Sequence, residues 1–300
     1  MHRCLKLAVI LSGLLMAVMA NSSSEEAKPL AFKPAAAGEF TFDTGVVRGK
    51  LREGGASKGL SQVIHIPTSQ RLDSSMGLFS HYRVFTQGHR YGVGAWEWPS
   101  QATLEEDGSV SVRWPATVDR PFEMKAHYHW VTTDTLDLET TVTAKTNLIK
   151  FESFLASYFA PFFTNTAICA DGPEMFIIAR KEVGARQAFP RDTTASVVIK
   201  DGRWKFEPYP IDWVLMPKFS KALAFRRAPG LGITAAIMSD PRECFAICTP
   251  DETDPHYSTY LSHFGRDIVV GERATARARM IFLTRPGEQG LFTAYARFTQ

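Results

Sequence analysis

Alternation of apolar and polar residues with period two dominates the chain from Glu39 onward. Because successive side chains of a strand point to opposite faces, this pattern predicts half-buried β-strands. "FTFDTGVVRGKLRE" (40–53) predicts one or two strands, and "SQVIHIPT" (61–68) predicts another. "GSVSVRWPA" follows the acidic turn "EEDG", and "FEMKAHYHWV" is joined to "LDLETTVTAK" by "TTDT". Both arrangements are typical of hairpins.

The remaining chain continues in the same way. "FESFLASYFAPFF" (151–163) is a dense apolar run that predicts a buried strand. Further strands are predicted from the segments "ASVVIKDGRWKF", "LAFRRAPGLGITAAIM", "CFAICTP", "HYSTYLSHFG" and "ERATARARMIFLT". The best helical candidate is 173–184, which has Pro173 near its start and Gly184 near its end. Short turns and the absence of a fixed repeat favour an all-β fold, a large antiparallel sandwich or barrel, with 39–300 as one domain.

The N-terminus has the pattern of an export signal. Arg3 and Lys6 precede an apolar stretch that ends in Val18-Met19-Ala20, which predicts a signal peptide over residues 1–20. The polar and Ala/Pro-rich residues 21–38 then predict a flexible lead-in. The apolar stretch is short for a membrane span and no second one follows, so we expect a secreted or periplasmic protein.

Charge and cysteine content narrow the function classes. Without residues 1–20 the chain has 32 basic residues (34 less Arg3 and Lys6) against 31 acidic ones, which gives no argument for nucleic acid as a partner. Cys169, Cys244 and Cys248 are an odd number, and either one bridge or three buried thiols fits them. No Cys-x-x-Cys pair and no helical histidine pair is present, so we expect no metal site and no cofactor. The sequence does not indicate an oligomeric state.

Four polar clusters interrupt the alternation. In "SHYRVF", a regular strand puts His81 and Arg83 on one face. The other clusters lie in "GHRYG" and "AWEWPS", in "KAHYHW", and in "TPDETDPHYSTYLSHFGRD". Each cluster alone has an ordinary structural explanation, a solvated strand face, a core tryptophan or an acidic loop. The candidate substrate-binding residues of these clusters are Arg83, His89, Tyr91, Trp96, Glu97, His127, His129 and Arg266.

Taken together, the clusters favour a carbohydrate site. Six of the seven histidines that follow residue 20 lie in them, beside aromatic side chains, arginines and acids. Aromatic faces stack on sugars, arginine and histidine bind hydroxyl or carboxylate groups, and a His/carboxylate pair can move protons. The candidate catalytic residues are His81, Glu252 and His256.

Three segments carry a family resemblance. "DRPFEMKAHYHWVTTDTLDLETTVTAKTN" followed by "LASYFAPFF" resembles the galactose mutarotase-like superfamily, and "CTPDETDP" resembles the acidic loop that carries the base of aldose epimerases. The resemblance implies a β-supersandwich with a site on a concave sheet, where a histidine acid and a glutamate base open and reclose a sugar ring. It implies a substrate histidine at His81 and a base at Glu252. The family's histidine before "Y-F" is Ser157 here, so His127, His129 or His256 would supply the acid.

Two hypotheses of different classes follow from these residues. The first is a secreted carbohydrate-active enzyme that uses acid–base chemistry, either as a sugar epimerase or as a polysaccharide lyase. In a lyase, Arg83 or Arg266 would neutralise a uronate carboxylate, and Tyr82, His256 or Tyr257 would remove the neighbouring proton. The second is a non-catalytic glycan-binding or scaffold protein that has the same fold, and a purely structural exported protein ranks behind both.

Overall fold

The computed structural model describes residues 30–74, 76–172 and 175–300, so the predicted signal peptide lies outside the described residues. The first twelve strands are β1 (Lys33–Ala36), β2 (Glu39–Asp43), β3 (Val47–Arg52), β4 (Ser61–His65), β5 (Gln70–Arg71), β6 (Ser80–Thr86), β7 (His89–Arg90), β8 (Gln101–Leu104), β9 (Val110–Trp114), β10 (Phe122–Thr132), β11 (Thr135–Ala144) and β12 (Leu148–Tyr158). The later elements are β13 (Ala167–Ala170), β14 (Met175–Ile178), β15 (Arg186–Pro190), α1 (Thr193–Ile199), β16 (Val214–Leu215), β17 (Phe219–Ala228), β18 (Ile233–Ser239), β19 (Cys244–Pro250), β20 (Ser258–Ile268), β21 (Arg273–Thr284) and α2 (Glu288–Thr299).

These strands form three sheets. The nine-stranded sheet has the order β14-β13-β17-β18-β21-β11-β10-β9-β8, and the seven-stranded sheet has the order β16-β15-β19-β20-β12-β6-β7. A five-stranded sheet of β1 to β5 precedes them in the chain. All pairs are antiparallel except β15 with β16. The predicted all-β antiparallel sandwich is therefore confirmed.

The core lies between the two large sheets. Along β10 the buried side chains Phe122, Met124, Ala126, Tyr128 and Trp130 alternate with half-exposed polar ones. Each large apolar side chain removed from water contributes about 1.5–3 kcal/mol, so this alternation fixes which face of the strand turns inward. We call the two facing sides of these sheets the inner faces and their opposite sides the outer faces.

Helices cover part of each outer face. Ala195, Val198 and Ile199 of α1 pack with Phe154 and Trp204 over the seven-stranded sheet. Ring stacking joins Phe292 of α2 to Phe176 of β14 at 5.3 Å, over the nine-stranded sheet. Both outer faces are therefore partly closed, and any site on them is confined to what the helices leave open.

Three sequence predictions are wrong in detail. The segment that begins at Ala195 was predicted as a strand and forms α1, because the Asp192 carboxylate accepts a hydrogen bond from the Ala195 N–H and caps a helix there. The helix predicted over 173–184 is replaced by β14, which pairs with β13. The flexible lead-in predicted over 21–38 is too long. Phe32 is buried and β1 (33–36) pairs with β2, so the folded part begins before residue 38.

The state of the cysteines and the expected lack of a second membrane-length apolar segment can be compared with the described residues. Cys169, Cys244 and Cys248 are buried free thiols, which selects one of the two alternatives that the sequence left open. Among the described residues, no helix is both long enough and apolar enough to span a membrane.

Candidate functional site

A β-bulge in β6 decides which side chains of "SHYRVF" reach the outer face. His81 pairs with Leu155 and Val84 pairs with Ser153, so two residues of β6 lie opposite Phe154 alone. Tyr82 and Arg83 therefore both point to the outer face. The regular alternation expected for this strand, with His81 and Arg83 on one side, is wrong because of this extra residue.

His81 lies on the inner face and is fully buried between the sheets. Its Nε2 is 2.9 Å from Thr140 Oγ1 of the opposite sheet, and its ring centre is 5.2 Å from that of Trp114. Burial, with a smaller contribution from His263, lowers the pKa of His81 to about 3. A neutral imidazole sealed in the core cannot contact a sugar, so the prediction of His81 as a catalytic residue is wrong.

Aromatic side chains line the outer face of the seven-stranded sheet, and Phe154 among them is covered by α1. The Tyr82 ring stacks on Trp96 with centroids 4.2 Å apart, and Phe154 stacks on Tyr260 at 4.6 Å. Trp96 and Tyr260 both contact Tyr158, at 6.3 and 5.9 Å. We call these five residues the aromatic face.

His256 lies at the edge of the aromatic face. The pairing of Ser258 with Tyr158 starts β20, so the loop before it ends beside the last residue of β12. The His256 ring is 6.2 Å from the Tyr158 ring, and its side chain is 59% exposed. Tyr257, next in the chain, has a φ of 48°, a left-handed backbone that a large side chain rarely adopts. The backbone is therefore strained at Tyr257, directly beside His256.

Asp254 orients the imidazole of His256. Its Oδ1 accepts hydrogen bonds from the backbone N–H of His256 at 2.8 Å and from Nδ1 at 2.7 Å. Its Oδ2 lies 2.5 Å from an Arg186 nitrogen. Since a carboxylate only accepts, Nδ1 must carry the proton, and Nε2 is left as the basic nitrogen of the neutral ring.

The charge state of Asp254 follows from these contacts. Burial raises the pKa of its carboxyl, but the hydrogen bonds from His256 and the guanidinium of Arg186 outweigh that effect, and the net shift is downward. Burial also raises the pKa of Tyr158 well above its ordinary value, so its phenol keeps its proton. The arrangement therefore places the His256 ring, with its basic Nε2, 6.2 Å centre to centre from the ring of a protonated tyrosine.

Glu252 and Ser157 do not occupy the positions expected of them. Glu252 is exposed, and its carboxylate accepts a hydrogen bond from the Lys181 backbone N–H at 2.8 Å, outside the aromatic face. Ser157 lies between the outward side chains of Ala156 and Tyr158, and its Oγ accepts from the Phe79 N–H. A histidine at position 157 would point into the core, so position 157 is not an outer-face position.

The "GHRYG" and "AWEWPS" residues are divided between two places. Ala95–Glu97 is a single 3₁₀ turn rather than a strand, which sends Trp96 to the aromatic face and leaves Glu97 exposed. His89 and Tyr91 line a separate surface cavity of about 620 Å³ together with Trp98 and Arg120. His89 and Tyr91 are therefore placed away from His256.

The other predicted binding residues lie elsewhere. His127 and His129 are on the outer face of the nine-stranded sheet, in a cavity of about 250 Å³ that Phe298 of α2 also lines. The two large sheets thus separate them from the aromatic face. Arg266 is held by Glu243 and Glu272 at 3.1 and 2.8 Å, an ion-pair network that leaves it a structural role.

Sequence reasoning assigned no role to Tyr158, Tyr260, Asp254 or Arg186. Only Asp254 had a local signal, its position two residues before His256 in an acidic loop. The others meet because β12, β20 and β15 lie within one sheet, which pattern alone does not order. Among the described residues, no group of three or more His, Cys, Asp or Glu side chains is placed to hold a metal ion.

The fold of the chain matches solved structures. No family model and no curated protein sequence matches the chain. The fold is that of galactose mutarotase-like β-sandwich proteins, as the resemblance in the sequence predicted. A galactose 1-epimerase from Lactobacillus acidophilus superposes with a TM-score of 0.51 at 10% identity, over 82% of this chain and 94% of that one.

Two other solved structures superpose on the chain. The Slr1438 protein from Synechocystis superposes with a TM-score of 0.50 at 10% identity, covering 85% of this chain and 98% of the other. A heparan sulfate lyase mutant from Pedobacter heparinus has a TM-score of 0.46 at 6% identity, over 85% of this chain and 36% of the lyase. At these identities the likeness concerns the fold alone.

Proposed function

We propose that this protein is a carbohydrate-active enzyme in which His256 and Tyr158 exchange protons with a sugar bound at the aromatic face. One observation carries the proposal: an exposed imidazole, oriented by a buried carboxylate, lies beside a protonated phenol on an aromatic surface. Tyrosine and tryptophan rings offer flat apolar surfaces with polar edges, which suit the C–H faces and hydroxyl groups of a sugar.

The roles follow from the proton positions. Nε2 of His256 is the base, and the Asp254 carboxylate stabilises the imidazolium that forms when Nε2 takes a proton. The phenol of Tyr158 is the acid. In an epimerase the base takes the anomeric hydroxyl proton while the acid protonates the ring oxygen. In a lyase the base takes the proton next to a uronate carboxyl and the acid protonates the departing glycosidic oxygen.

Export is part of the same proposal. The basic and apolar pattern of residues 1–20 supports a signal peptide and a secreted or periplasmic site of action. Sequencing the N-terminus of the protein recovered from the culture medium or periplasm of its source tests this. A start close to Asn21 is expected, and a cytoplasmic protein that retains Met1 would contradict it.

A substrate panel tests the catalytic proposal. Purified protein is incubated with free aldoses and with uronate polysaccharides. Anomer exchange is followed by NMR, and formation of unsaturated product is followed by ultraviolet absorbance. Turnover of at least one saccharide is expected, and inactivity on all of them together with measurable glycan binding would remove the enzyme hypothesis.

A non-catalytic glycan-binding function is the second candidate. It is favoured by the low exposure of the aromatic face, since Trp96 and Tyr158 are each 5% exposed. Tyr82 and Tyr260 of the same face are half-buried, so only part of this face is open to a ligand. The same panel separates the two candidates, because binding without any turnover would select this one.

A further inference from the structure

Arg83 is a buried cation with unsatisfied donors. It is 2% exposed, and its Nη2 donates to the Tyr209 carbonyl at 2.8 Å and to the Tyr82 hydroxyl at 3.3 Å. Its Nε and Nη1 have no hydrogen-bond partner among the described residues. The guanidinium carbon lies 5.0 Å from the ring centres of both Tyr82 and Trp204. The two rings stabilise the positive charge by cation–π contact, but the N–H groups of Nε and Nη1 still have no hydrogen-bond acceptor among the described residues.

The other buried arginines of the described chain are fully partnered. Every guanidinium nitrogen of Arg203 is bonded, and two of its partners are the carboxylates of Asp201 and Glu152. All three nitrogens of Arg226 donate to oxygens, and those of Arg90 donate to backbone carbonyls. Arg83 is the exception among these buried arginines. Because an unpaired buried charge is costly, its free N–H groups would be stabilised by acceptor atoms of a ligand.

A short surface segment covers this site. Residues 206–209, which we call the strap, are mostly exposed, with Tyr209 67% exposed at a φ of 62°. The hydrogen bonds that hold the strap among the described residues come from Arg83 and Arg90, to the carbonyls of Phe206, Pro208 and Tyr209. A segment held only by arginine donors can yield to an oxygen-rich ligand that competes for the same donors.

Position links Arg83 to the proposed active site. Arg83 projects on the outer face beside Tyr82, which stacks on Trp96, and Trp96 contacts Tyr158. Arg83 lies opposite Phe154 on β12, four residues before Tyr158, and four strand residues span about 13 Å. A short oligosaccharide on the aromatic face would therefore reach both Arg83 and His256.

We infer that Arg83 binds the carboxylate or sulfate group of an acidic saccharide, with the strap moving to admit it. This inference rests on the proposed function, since it names the substrate class of the same outer face. A carboxylate or a sulfate ester presents two or more oxygens that match the planar guanidinium fork. Neutral sugars offer only hydroxyl groups, which leave the charge of Arg83 uncompensated.

Calorimetric binding tests this inference with three probes of similar size: trigalacturonate for the carboxylate, maltotriose as the neutral control, and a sulfated disaccharide from heparin. The wild-type protein should bind at least one acidic probe about 10- to 100-fold more tightly than maltotriose. Arg83→Met should remove that preference. The control Arg48→Met, which removes the same charge from an exposed position in the five-stranded sheet, should keep it.

The outcomes separate the inference from the proposed function. Equal affinity for the three probes, no binding of either acidic probe, or equal behaviour of the Arg83 and Arg48 variants would overturn the inference. Turnover of neutral sugars together with no turnover of acidic ones would overturn it too, while the proposed function would stand. Arg83-dependent binding without turnover would support the inference and remove the enzyme.

A second variant covers the case in which Arg83→Met fails to fold. Arg83→Lys keeps the charge and loses the planar fork, so a weaker but retained preference for the acidic probe is expected. In the wild type, affinity for the acidic probe should fall as salt rises, while affinity for maltotriose should not. A salt-independent acidic preference would contradict the role of a charged group.

Discussion

His81 and His256 lie on opposite sides of the same sheet and illustrate two uses of one side chain. His81 is enclosed between the large sheets with a threonine as its partner, and burial lowers its pKa to about 3. His256 is exposed, with a buried aspartate that fixes the tautomer of its ring. A histidine therefore becomes a candidate acid–base group through its partner and its access to solvent, not through its residue type.

The local sequence gives the opposite ranking of these two histidines. "SHYRVF" places His81 beside an arginine on a polar strand, whereas His256 follows an ordinary acidic loop. The β6 bulge reverses the expectation, because one extra residue sends Tyr82 and Arg83 outward together and leaves His81 inside.

Acid should destabilise the protein through its buried histidines. The pKa values of His81 and His263 are lowered to about 3 and about 4, so the unfolded chain binds protons that the folded chain refuses as the pH falls below about 6.5. Stability is then lost with falling pH, by about 1.4 kcal/mol per pH unit for each histidine, until the folded pKa is reached. Urea unfolding at about pH 7, pH 6 and pH 5 measures this slope.

A variant sharpens the same measurement. His81→Gln should reduce the slope of stability against pH by the contribution of one histidine. An unchanged slope in His81→Gln would mean that His81 is protonated in the folded protein and would contradict its burial.

Truncation of His81 should lower the free energy of unfolding by about 2–4 kcal/mol. His81→Ala leaves a cavity between the sheets and removes the partner of the Thr140 hydroxyl. His256→Ala should cost less than about 1 kcal/mol, because the side chain is largely exposed. Urea denaturation of both variants at neutral pH checks this, and equal losses would remove the distinction between core and surface histidine.

Loss of the Asp254 charge should act on the chemistry more than on the fold. Asp254→Asn no longer stabilises the imidazolium of His256, so turnover should fall by at least about 10-fold. Imidazole ¹⁵N chemical shifts should show the Nδ1–H tautomer of His256 in the wild type and a mixture of tautomers in the variant. A wild-type ring protonated on Nε2 would contradict the orientation derived from Asp254.

Much of the fold could be predicted from the sequence. The β10–β11 hairpin and the buried strand β12 follow directly from alternation and turn residues, because burial of one face enforces period two. α1 was missed because its β-branched residues are typical of strands, and its helix depends on the Asp192 cap and on packing against Phe154.

The candidate site was predicted less completely. Of the three candidate catalytic residues, only His256 lies at the aromatic face, since Glu252 bonds to the backbone at Lys181 and His81 is in the core. Tyr158 and Arg186 are far from His256 in sequence, and the sheet order alone brings them together. A bulge and the order of strands in a sheet leave no short-range pattern in the sequence. The residues of the site could therefore be brought together only from the structure.

The most direct test of the central claim is the turnover of His256→Gln on the best saccharide of the panel. General acid–base catalysis contributes about 10²- to 10⁴-fold, so a loss of that size is expected with the fold intact. His65→Gln, a histidine substitution in the five-stranded sheet, is the matched control and should retain wild-type turnover. Undiminished turnover in a folded His256→Gln protein would contradict the assignment of His256 as the base.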